Sequence, residues 1–243
     1  MNFTLMIPSR KRQHMLQTLL KSIYDTAIDK YKVETIVTYD NDDQSTIDAL
    51  PKLKELCRDF PVIFRSRERH YATSGVYYNE MAKLARGKYI IAVNDDTVFC
   101  KIGWDLEALA KIDDYLKDKP DGILYGITED REKESRRNET NYFSCFPMIS
   151  KTGVNALGFF FDPDFPKDGA DWDIIMTYKE IGRILDLRNE IVIEHISFRS
   201  GRRDHDLLDA DTIPIPNEHS ASAGKNLERN STILKEYIKR YGK

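Results

Sequence analysis

Short apolar runs alternate with amphipathic segments along the first part of the chain. The apolar runs, which are rich in β-branched and aromatic residues, predict strands at residues 3–7, 33–39, 62–65 and 89–93. Between them, apolar residues recur at the spacing of a helix. Because parallel strands need long crossover connections, this alternation predicts a mostly parallel sheet sandwiched by helices. The chain is therefore expected to adopt an α/β fold.

Polar residues follow directly after the predicted strands. Pro8 is expected to end the first strand, since proline cannot donate to a central ladder, and Asp40 follows the second strand. The fourth predicted strand leads to Asp95 and Asp96. Parallel strands bring their carboxyl ends to one edge of the sheet, where open α/β folds bind ligands, and paired carboxylates there suit Mg²⁺ or Mn²⁺. The alternative is that these acids only form a turn and cap the next helix.

The composition limits the class of protein. The 243 residues, 41% of them hydrophobic, suit one α/β domain or at most two small ones. With 37 basic and 40 acidic residues, the net charge of −3 gives no overall footprint for nucleic acid. Three scattered cysteines form neither a metal-ligand spacing nor a disulfide framework, which favours a reducing compartment. No stretch has the length of a signal peptide or a membrane span, so we expect a soluble, cytoplasmic protein.

The second half of the chain is less regular than the first. Its patterns predict helices at 104–116 and 174–181, strands at 122–126 and 145–149, and a strand at 190–194 that leads into His195. A lone histidine at the end of a strand is either a structural residue or a ligand.

Three further segments are polar or amphipathic. Residues 129–141 carry a dense run of charges, which is typical of a solvated surface and alternatively binds an anionic acceptor. Residues 199–226 are polar and turn-rich, and we expect a mobile loop there that either controls the acceptor or closes as a lid. Apolar residues at helical spacing between 226 and 240 predict a C-terminal helix that packs either on the core or on a second subunit in a homo-oligomer.

Taken together, these motifs resemble those of family-2 glycosyltransferases with the GT-A fold. Residues 7–12 resemble the first strand and its Pro-Thr-x-x-Arg turn, and residues 34–40 resemble the second strand with its terminal acid. Residues 79–96 resemble the family's helix, its Ala-x-Gly-x-Tyr-Ile strand and the DXD-type motif, in which Asn94 replaces the first acid. Residues 171–173 resemble the acidic Glu-Asp-x-Asp segment of the family.

The resemblance covers residues 3–198 and implies a single domain with a GT-A-like, Rossmann-like fold. It assigns residues 1–97 to a nucleotide-binding half and 98–198 to an acceptor-binding half, followed by a polar loop and a C-terminal helix at 199–243. The implied activity moves a sugar from a nucleotide sugar, with UDP-sugars favoured, to an acceptor hydroxyl with inversion. The acceptor stays open between a glycan, a lipid-linked sugar, a protein, a small molecule and a modified nucleic acid.

The resemblance also implies roles for individual residues. Asp96 and His195 would ligate Mn²⁺ or Mg²⁺, and Asp171 would act as the general base. Trp172 and Asp173 would contact the acceptor, and the structural alternatives are a core tryptophan and a helix-capping acid. The residues expected to contact the nucleotide sugar are Pro8, Ser9, Arg10, Asp40, Arg69, Asn79, Asn94 and Asp95.

Two other functions stay open from the sequence. A sugar-1-phosphate nucleotidyltransferase would share the fold and the metal but would carry a glycine-rich, basic phosphate loop after the first strand. Lys11 and Arg12 are present there, but the glycines are not. A catalytically silent sugar-nucleotide-binding protein is the second alternative, and Asn94 is its best support. The sequence lacks the phosphate-loop, dinucleotide-binding and hydrolase nucleophile motifs, which argues against kinases, dinucleotide oxidoreductases and α/β-hydrolases.

Overall fold

Two β-sheets and the helices that cover them form the part of the chain that the computed structural model describes, which comprises residues 1–131, 144–165, 169–196 and 226–242. Most of the predicted charged run and nearly all of the predicted acceptor-control loop lie outside these described residues. In chain order, the strands are β1 (Phe3–Ser9), β2 (Val33–Asp40), β3 (Val62–Arg67), β4 (Tyr89–Ala92), β5 (Thr97–Phe99), β6 (Tyr125–Ile127), β7 (Glu129–Asp130), β8 (Met148–Ser150), β9 (Ile184–Asp186) and β10 (Val192–His195).

The helices lie between these strands and at the C-terminal end of the chain. A 3₁₀ turn (Lys30–Lys32) precedes β2, and a π-helical turn (Thr73–Tyr78) continues directly into the third α-helix. In chain order, the α-helices of the described residues are α1 (Gln13–Thr26), α2 (Gln44–Leu56), α3 (Asn79–Leu84), α4 (Trp104–Leu116), α5 (Lys151–Leu157), α6 (Ala170–Glu180) and α7 (Leu227–Tyr241).

The larger sheet has the strand order β3-β2-β1-β4-β8-β6-β9. Strands β1 to β4 are parallel, β8 runs antiparallel to both of its neighbours, and β9 is parallel to β6. The smaller sheet has the order β5-β10-β7. The predicted α/β fold, with a mostly parallel central sheet between helices and a C-terminal helix, is confirmed.

Strand β1 continues through Pro8, so the prediction that this proline ends the strand is wrong. Successive residues of a strand direct their backbone groups alternately to the two neighbouring strands. Met6 O accepts a hydrogen bond from Val93 N, so Met6, and by alternation Pro8, faces the side of β4. Strand β4 has already ended at Ala92. The nitrogen of Pro8 therefore faces a position where the ladder needs no donor.

Strand β6 begins later than the sequence predicts because a turn precedes it. Gly122 has a φ of +66°, which favours glycine, and the carboxylate of Asp121 accepts a hydrogen bond from Ile123 N at 2.9 Å. The chain becomes extended only beyond this turn, at Tyr125. The apolar run at 122–126 thus combines a turn with the first residues of a strand.

The larger sheet is buried on both faces, as expected of strands that lie between two layers of helices. Side chains alternate along β1. Leu5 and Ile7 pack in an apolar cluster with residues of α1, whereas Met6 packs on the opposite face with residues of α6. All three side chains are fully buried. Packing on both faces holds the strands in place, and this determines where the residues after the strand ends lie.

Helix α7 packs against the rest of the chain through its apolar side. Leu234 is fully buried in the cluster that contains Met6, and Ile233, Tyr237 and Ile238 pack around it. Of the two arrangements expected for this helix, the structure therefore has the one on the core, and formation of a homo-oligomer stays a prediction. No helix in the described ranges is long and apolar enough to cross a bilayer.

Candidate active site

The ends of the parallel strands meet at one edge of the larger sheet. Strand β1 lies between β2 and β4 and is parallel to both, so Ser9, Asp40 and Asp95 lie at or just beyond strand ends that point the same way. Ser9 Oγ donates to Asp95 Oδ2 at 2.9 Å, and Arg10 Nη1 donates to Asp40 Oδ2 at 3.1 Å. Pro8 directly precedes Ser9 and Arg10 in the chain and is partly exposed. The predicted convergence of the strand ends is confirmed.

Arg12 bridges two buried carboxylates at this edge. Asp95 and Asp96 are 4% and 5% exposed, and Arg12 Nη1 lies 3.4 Å from Asp95 Oδ1 and 3.2 Å from Asp96 Oδ2. The chain turns at Lys11, which has a left-handed conformation with a φ of +56°. Lys11 N donates to Asp43 Oδ2 at 2.7 Å, and this bond holds the turn. The guanidinium thereby offsets part of the negative charge of the acid pair.

The electrostatics of the acid pair follow from its burial. Burial raises the pKa of Asp95, and the negative charge of Asp96 raises it further. Arg12 and the hydroxyl of Ser9 lower the pKa of Asp95 but do not cancel the increase. Two carboxylates that are held together with so little water favour the approach of a cation.

The smaller sheet brings His195 to the acid pair. In β10, His195 pairs with Thr97 of β5, and Ile196 N donates to Asp96 O at 2.8 Å. His195 Nε2 consequently lies 3.2 Å from Asp96 Oδ1. The imidazole also packs edge-on against Phe146, with ring centroids 5.3 Å apart. The two residues predicted as metal ligands therefore lie side by side.

Within the ranges that the structure describes, no group of three or more His, Cys, Asp and Glu side chains is arranged to hold a metal. Asp96 and His195 nevertheless present an oxygen and a nitrogen donor to each other. Mg²⁺ is usually bound by one or two carboxylates and completes its shell with water and phosphate oxygens, and imidazole is a common ligand of transition metals. The residues present thus fit a divalent ion that is held jointly with a phosphorylated ligand.

Asp40 is the centre of a second polar cluster at the same edge. It is 3% exposed, and while one oxygen accepts from Arg10, the other accepts from Tyr77 OH at 2.5 Å. The guanidinium of Arg67 lies over the Tyr77 ring, 4.2 Å from its centroid. Arg10 also donates to both oxygens of Asp42, at 2.5 and 3.1 Å, and this lowers the pKa of Asp42. The cluster gathers hydrogen-bond donors and acceptors at the strand ends, where open α/β sheets bind their ligands.

Two more of the predicted donor-binding residues lie beside these clusters. Arg69 is close enough to Asp42 for its positive charge to contribute to the lowered pKa of that carboxyl. Asn94 is partly exposed, and its Oδ1 accepts from Tyr78 OH at 3.1 Å. Tyr78 is buried, which raises the pKa of its hydroxyl, and the same OH lies 3.1 Å from Val93 O. This tyrosine therefore orients Asn94, which directly precedes the acid pair.

Asn79 was predicted to contact the donor, but its side chain is used within the protein. Its Nδ2 donates to Gly75 O at 2.9 Å and to Phe161 O at 2.7 Å. Its Oδ1 accepts from Phe160 N at 2.8 Å and from Phe161 N at 3.0 Å. These four contacts tie the start of α3 to the segment that follows α5. They favour a structural role for Asn79 over direct contact with a ligand.

The predicted acceptor-side residues lie on the first turn of α6. The helix begins at Ala170, earlier than the sequence predicts, directly after Gly169, which has a φ of +84°. Asp171 and Trp172 are partly exposed, and Asp171 Oδ1 accepts from Trp172 N at 2.9 Å. Asp173 is fully buried, which favours a structural role for its carboxylate over contact with an acceptor. These residues lie on a separate element from the donor-side clusters.

Three residues of this edge, Arg12, Tyr77 and Tyr78, have no role in the sequence-based prediction. Arg12 did carry a signal, because it stands at the arginine position of the Pro-Thr-x-x-Arg turn that residues 7–12 resemble. Its contact with the acid pair depends on the left-handed conformation of Lys11, which a lysine does not signal. The tyrosines carried only the pattern of buried helix residues, and nothing in the sequence indicates that their hydroxyls contact Asp40 and Asn94.

The structure is similar to several solved glycosyltransferases. A fragment of S. aureus TarS, solved with UDP-GlcNAc, has a TM-score of 0.67 and 14% identity over 99% of this chain and 72% of that one. A mannosyltransferase from Pyrobaculum calidifontis, solved with GDP-Man and Mn²⁺, has a TM-score of 0.62 and 16% identity over 80% of this chain. GalNAc-T7, solved with UDP, GalNAc and Mn²⁺, has a TM-score of 0.60 and 13% identity over 80% of this chain. This chain spans 56% of the length of the mannosyltransferase and 43% of that of GalNAc-T7.

At such low identities, the similarity concerns the fold, which is of the GT-A type. No curated protein sequence matches the chain. The sequence profile of glycosyl transferase family 2, in contrast, matches residues 4–203, which is most of the chain. The match includes the strand ends, the acid pair and His195 described above. The chain therefore belongs to glycosyl transferase family 2.

Proposed function

We propose that the protein is a glycosyltransferase that moves a sugar from a nucleotide-sugar donor to an acceptor hydroxyl. The observation that carries this proposal is the acid pair of Asp95 and Asp96, which faces His195 at the carboxyl edge of a family-2 domain. Open α/β sheets bind their ligands at this edge. Solved proteins of similar fold contain UDP-GlcNAc or GDP-Man, which supports a nucleotide sugar as the donor.

In this proposal, residues 1–97 bind the nucleotide. Asp40 would accept from the base or the ribose, and Arg10 and Tyr77 hold its carboxylate in one orientation through their hydrogen bonds. Ser9, which ends the same strand that Arg10 follows, donates to Asp95 of the acid pair and so links the two groups of residues that the donor would contact. UDP-sugars are the favoured donors, since two of the proteins of similar fold were solved with UDP or UDP-GlcNAc.

We assign Asp96 and His195 to a divalent ion, Mn²⁺ or Mg²⁺, because their donor atoms face each other and proteins of similar fold were solved with Mn²⁺. Bound there, the ion would offset the charge that develops on the nucleoside diphosphate as it leaves. The protein contributes by fixing both side chains through the backbone pairing of β10 with β5. Ser9 and Arg12 hold the neighbouring Asp95 in place.

The acceptor half, residues 98–198, would supply the base. Asp171 is partly exposed at the first turn of α6, and its carboxylate can take the proton of an acceptor hydroxyl while the oxygen attacks the sugar carbon. Attack on the face opposite the leaving diphosphate inverts the configuration of that carbon. Trp172, also partly exposed, offers an aromatic face to a sugar ring.

Thermal-shift measurements test this proposal directly. The protein is heated with UDP-, GDP-, CMP- and dTDP-sugars, each with and without Mn²⁺, because a ligand that binds the native state raises the melting temperature by mass action. We expect a shift with one nucleotide class that grows with Mn²⁺ and loses this growth in Asp96→Asn. The matched control is Asp25→Asn, an exposed acid that pairs with Lys21 on α1. The absence of a shift with every nucleotide sugar would contradict the proposed function.

A further inference from the structure

A buried arginine contacts both carboxylates of the candidate metal site. Arg12 is 8% exposed, and its Nη1 lies within hydrogen-bonding distance of one oxygen of Asp95 and one oxygen of Asp96. Asp96 presents its other oxygen to His195 Nε2. The acid that is assigned to the divalent ion therefore has a permanent positive charge on one side and an imidazole on the other.

The backbone holds Arg12 in this position. It is the N-cap residue of α1, and its carbonyl oxygen accepts from Leu16 N at 2.9 Å. Lys11, just before it, is fixed by the hydrogen bond to Asp43, which in turn caps α2 by accepting from Thr46 N. Because a guanidinium is not deprotonated in proteins, its charge is constant at every working pH. Arg12 is thus a fixed cation rather than a mobile surface side chain.

The balance of charge decides how strongly a second cation binds here. Asp95 and Asp96 together carry at most two negative charges, and Arg12 offsets one of them. A divalent ion on Asp96 is repelled by the guanidinium that contacts the same carboxylate, and this repulsion is poorly screened where little water is present. The diphosphate of a nucleotide brings additional negative charge and reverses the balance. The free protein and the nucleotide complex should therefore differ strongly in their affinity for the ion.

We propose that Arg12 is a positioning residue that holds Asp95 and Asp96 together as a charge-compensated pair and makes binding of the divalent ion depend on the nucleotide diphosphate. The inference rests on the proposed function, since it takes Asp96 as a ligand of the ion. Mn²⁺ and UDP then bind with positive coupling, and each raises the affinity for the other by the same factor. Removal of the charge of Arg12 strengthens binding of Mn²⁺ alone and reduces the coupling.

The test measures free Mn²⁺ by electron paramagnetic resonance in titrations of the whole protein with and without UDP. We expect Arg12→Met to bind Mn²⁺ without UDP at least tenfold more tightly than the natural protein, and UDP to add less to this affinity. Arg12→Lys keeps the charge and should stay within about threefold of the natural protein. The matched control is Arg58→Met, which removes an exposed arginine that pairs with Glu55 and Asp59 instead of the acid pair.

Equal or weaker binding of Mn²⁺ by Arg12→Met overturns the inference, and so does the absence of Mn²⁺ binding in both proteins. If Arg12→Met folds poorly, Arg12→Gln provides a second neutral variant, and Mn²⁺ should raise the melting temperature of either more than that of the natural protein. Addition of Asp96→Asn to Arg12→Met should abolish the gain. Binding of UDP without metal is measured separately by calorimetry, and its absence would contradict the proposed function instead of the role of Arg12.

Discussion

The Nε2 atom of His195 lies 3.2 Å from Oδ1 of Asp96, although the two residues belong to opposite halves of the chain. The contact is fixed by the backbone, since His195 pairs with Thr97 across β5 and β10 and Ile196 N donates to the carbonyl oxygen of Asp96. A pair that is placed by strand pairing keeps its position before any ligand binds. Preorganisation of this kind lowers the free-energy cost of binding.

Replacement of His195 by glutamine should lower the affinity of the UDP complex for Mn²⁺ by at least tenfold, because the ion loses its imidazole ligand. The fold should be retained, since the strand pairing does not depend on the side chain. The change is measured as the Mn²⁺ concentration that gives half of the metal-dependent rise in melting temperature. His14→Gln, at an exposed position of α1, is the control. An unchanged half-point would remove His195 from the metal site.

Replacement of Asp171 by asparagine should lower kcat by about 10² to 10⁴-fold, the usual contribution of a general base. Binding of the donor should change less than twofold, because Asp171 lies on α6 and apart from the nucleotide-binding clusters. Steady-state kinetics with the donor class found by thermal shift give kcat, and calorimetry gives the affinity for the donor.

The matched control for the base is Glu180→Gln on the same helix. Glu180 is 49% exposed, and among the described residues its ionic partner is Lys235, which is also exposed. Its loss should change stability by less than about 0.5 kcal/mol and leave kcat unaltered. If Asp171→Asn retains kcat, Asp171 is not the base. If Glu180→Gln loses kcat equally, the effect belongs to the helix and not to the carboxylate.

The parallel half of the fold could be predicted because each of its strands carries a run of β-branched residues that is long enough to show a pattern. Strands β5, β7 and β9 are only two or three residues long, too short for any period, and none was predicted. The failure to predict β5 affects the site, because β5 is the strand that positions His195. The sequence pattern placed His195 at the end of a strand. Its distance from Asp96 follows from the pairing of β10 with β5, which the pattern does not show.

The residues of the site were predicted where topology alone determines their place. The ends of β1, β2 and β4 meet because parallel strands share one edge. The bridge of Arg12 depends instead on a left-handed lysine, and the burial of Asp173 depends on the start of α6 at Ala170. When a helix begins one turn earlier than predicted, the side chains of that turn point in other directions than they would in a loop. Boundaries of this kind are set by tertiary packing, which a single sequence does not contain.

Replacement of Gly87 by alanine should destabilise the protein by about 3 kcal/mol, at the upper end of the usual cost of overpacking. A Cβ at this position would lie 2.5 Å from Thr4 N and 2.6 Å from the carbonyl carbon of Phe3, both of them backbone atoms of β1. Gly87 N also donates to Thr4 Oγ1 at 2.8 Å, so the chain has no freedom to move away. Denaturation in urea measures the change in the free energy of unfolding.

Gly158→Ala separates crowding from backbone strain. Gly158 has a φ of +85°, and apart from its chain neighbours no atom of the described residues would lie within 4 Å of a Cβ there. Alanine at this position should therefore cost only the strain of a left-handed conformation, about 1 kcal/mol. The loss in Gly87→Ala should therefore clearly exceed the loss in Gly158→Ala. Equal losses would show that close approach to β1 is not the reason for glycine at position 87.

Asp162 joins the C-terminal helix to the body of the domain. It is 1% exposed, and its Oδ2 accepts from Asn226 Nδ2 at 3.0 Å and from Asn230 Nδ2 at 2.8 Å, while Arg229 forms a short ion pair with it. Burial raises the pKa of this carboxyl, but the hydrogen bonds from Asn230, from the N–H of Asp164 and from Arg229 outweigh burial and hold the pKa below its usual value.

Replacement of Asp162 by asparagine should therefore lower the free energy of unfolding by about 3 kcal/mol at pH 7, since two buried amides lose a charged acceptor and Arg229 loses the nearer of its two carboxylate partners. For a chain of this length, the melting temperature should fall by about 6–12 °C.

A carboxyl whose pKa is lowered in the folded state contributes stability above its ordinary pKa, which is about 4, and loses it as the pH falls through the folded value. The difference in melting temperature between the two proteins should thus stay constant from pH 8 to about pH 5 and narrow below about pH 4. Asp164→Asn, at a side chain that is 47% exposed, should cost less than about 1 kcal/mol. A difference that persists undiminished at pH 3 would mean that the charge of Asp162 is not what anchors α7.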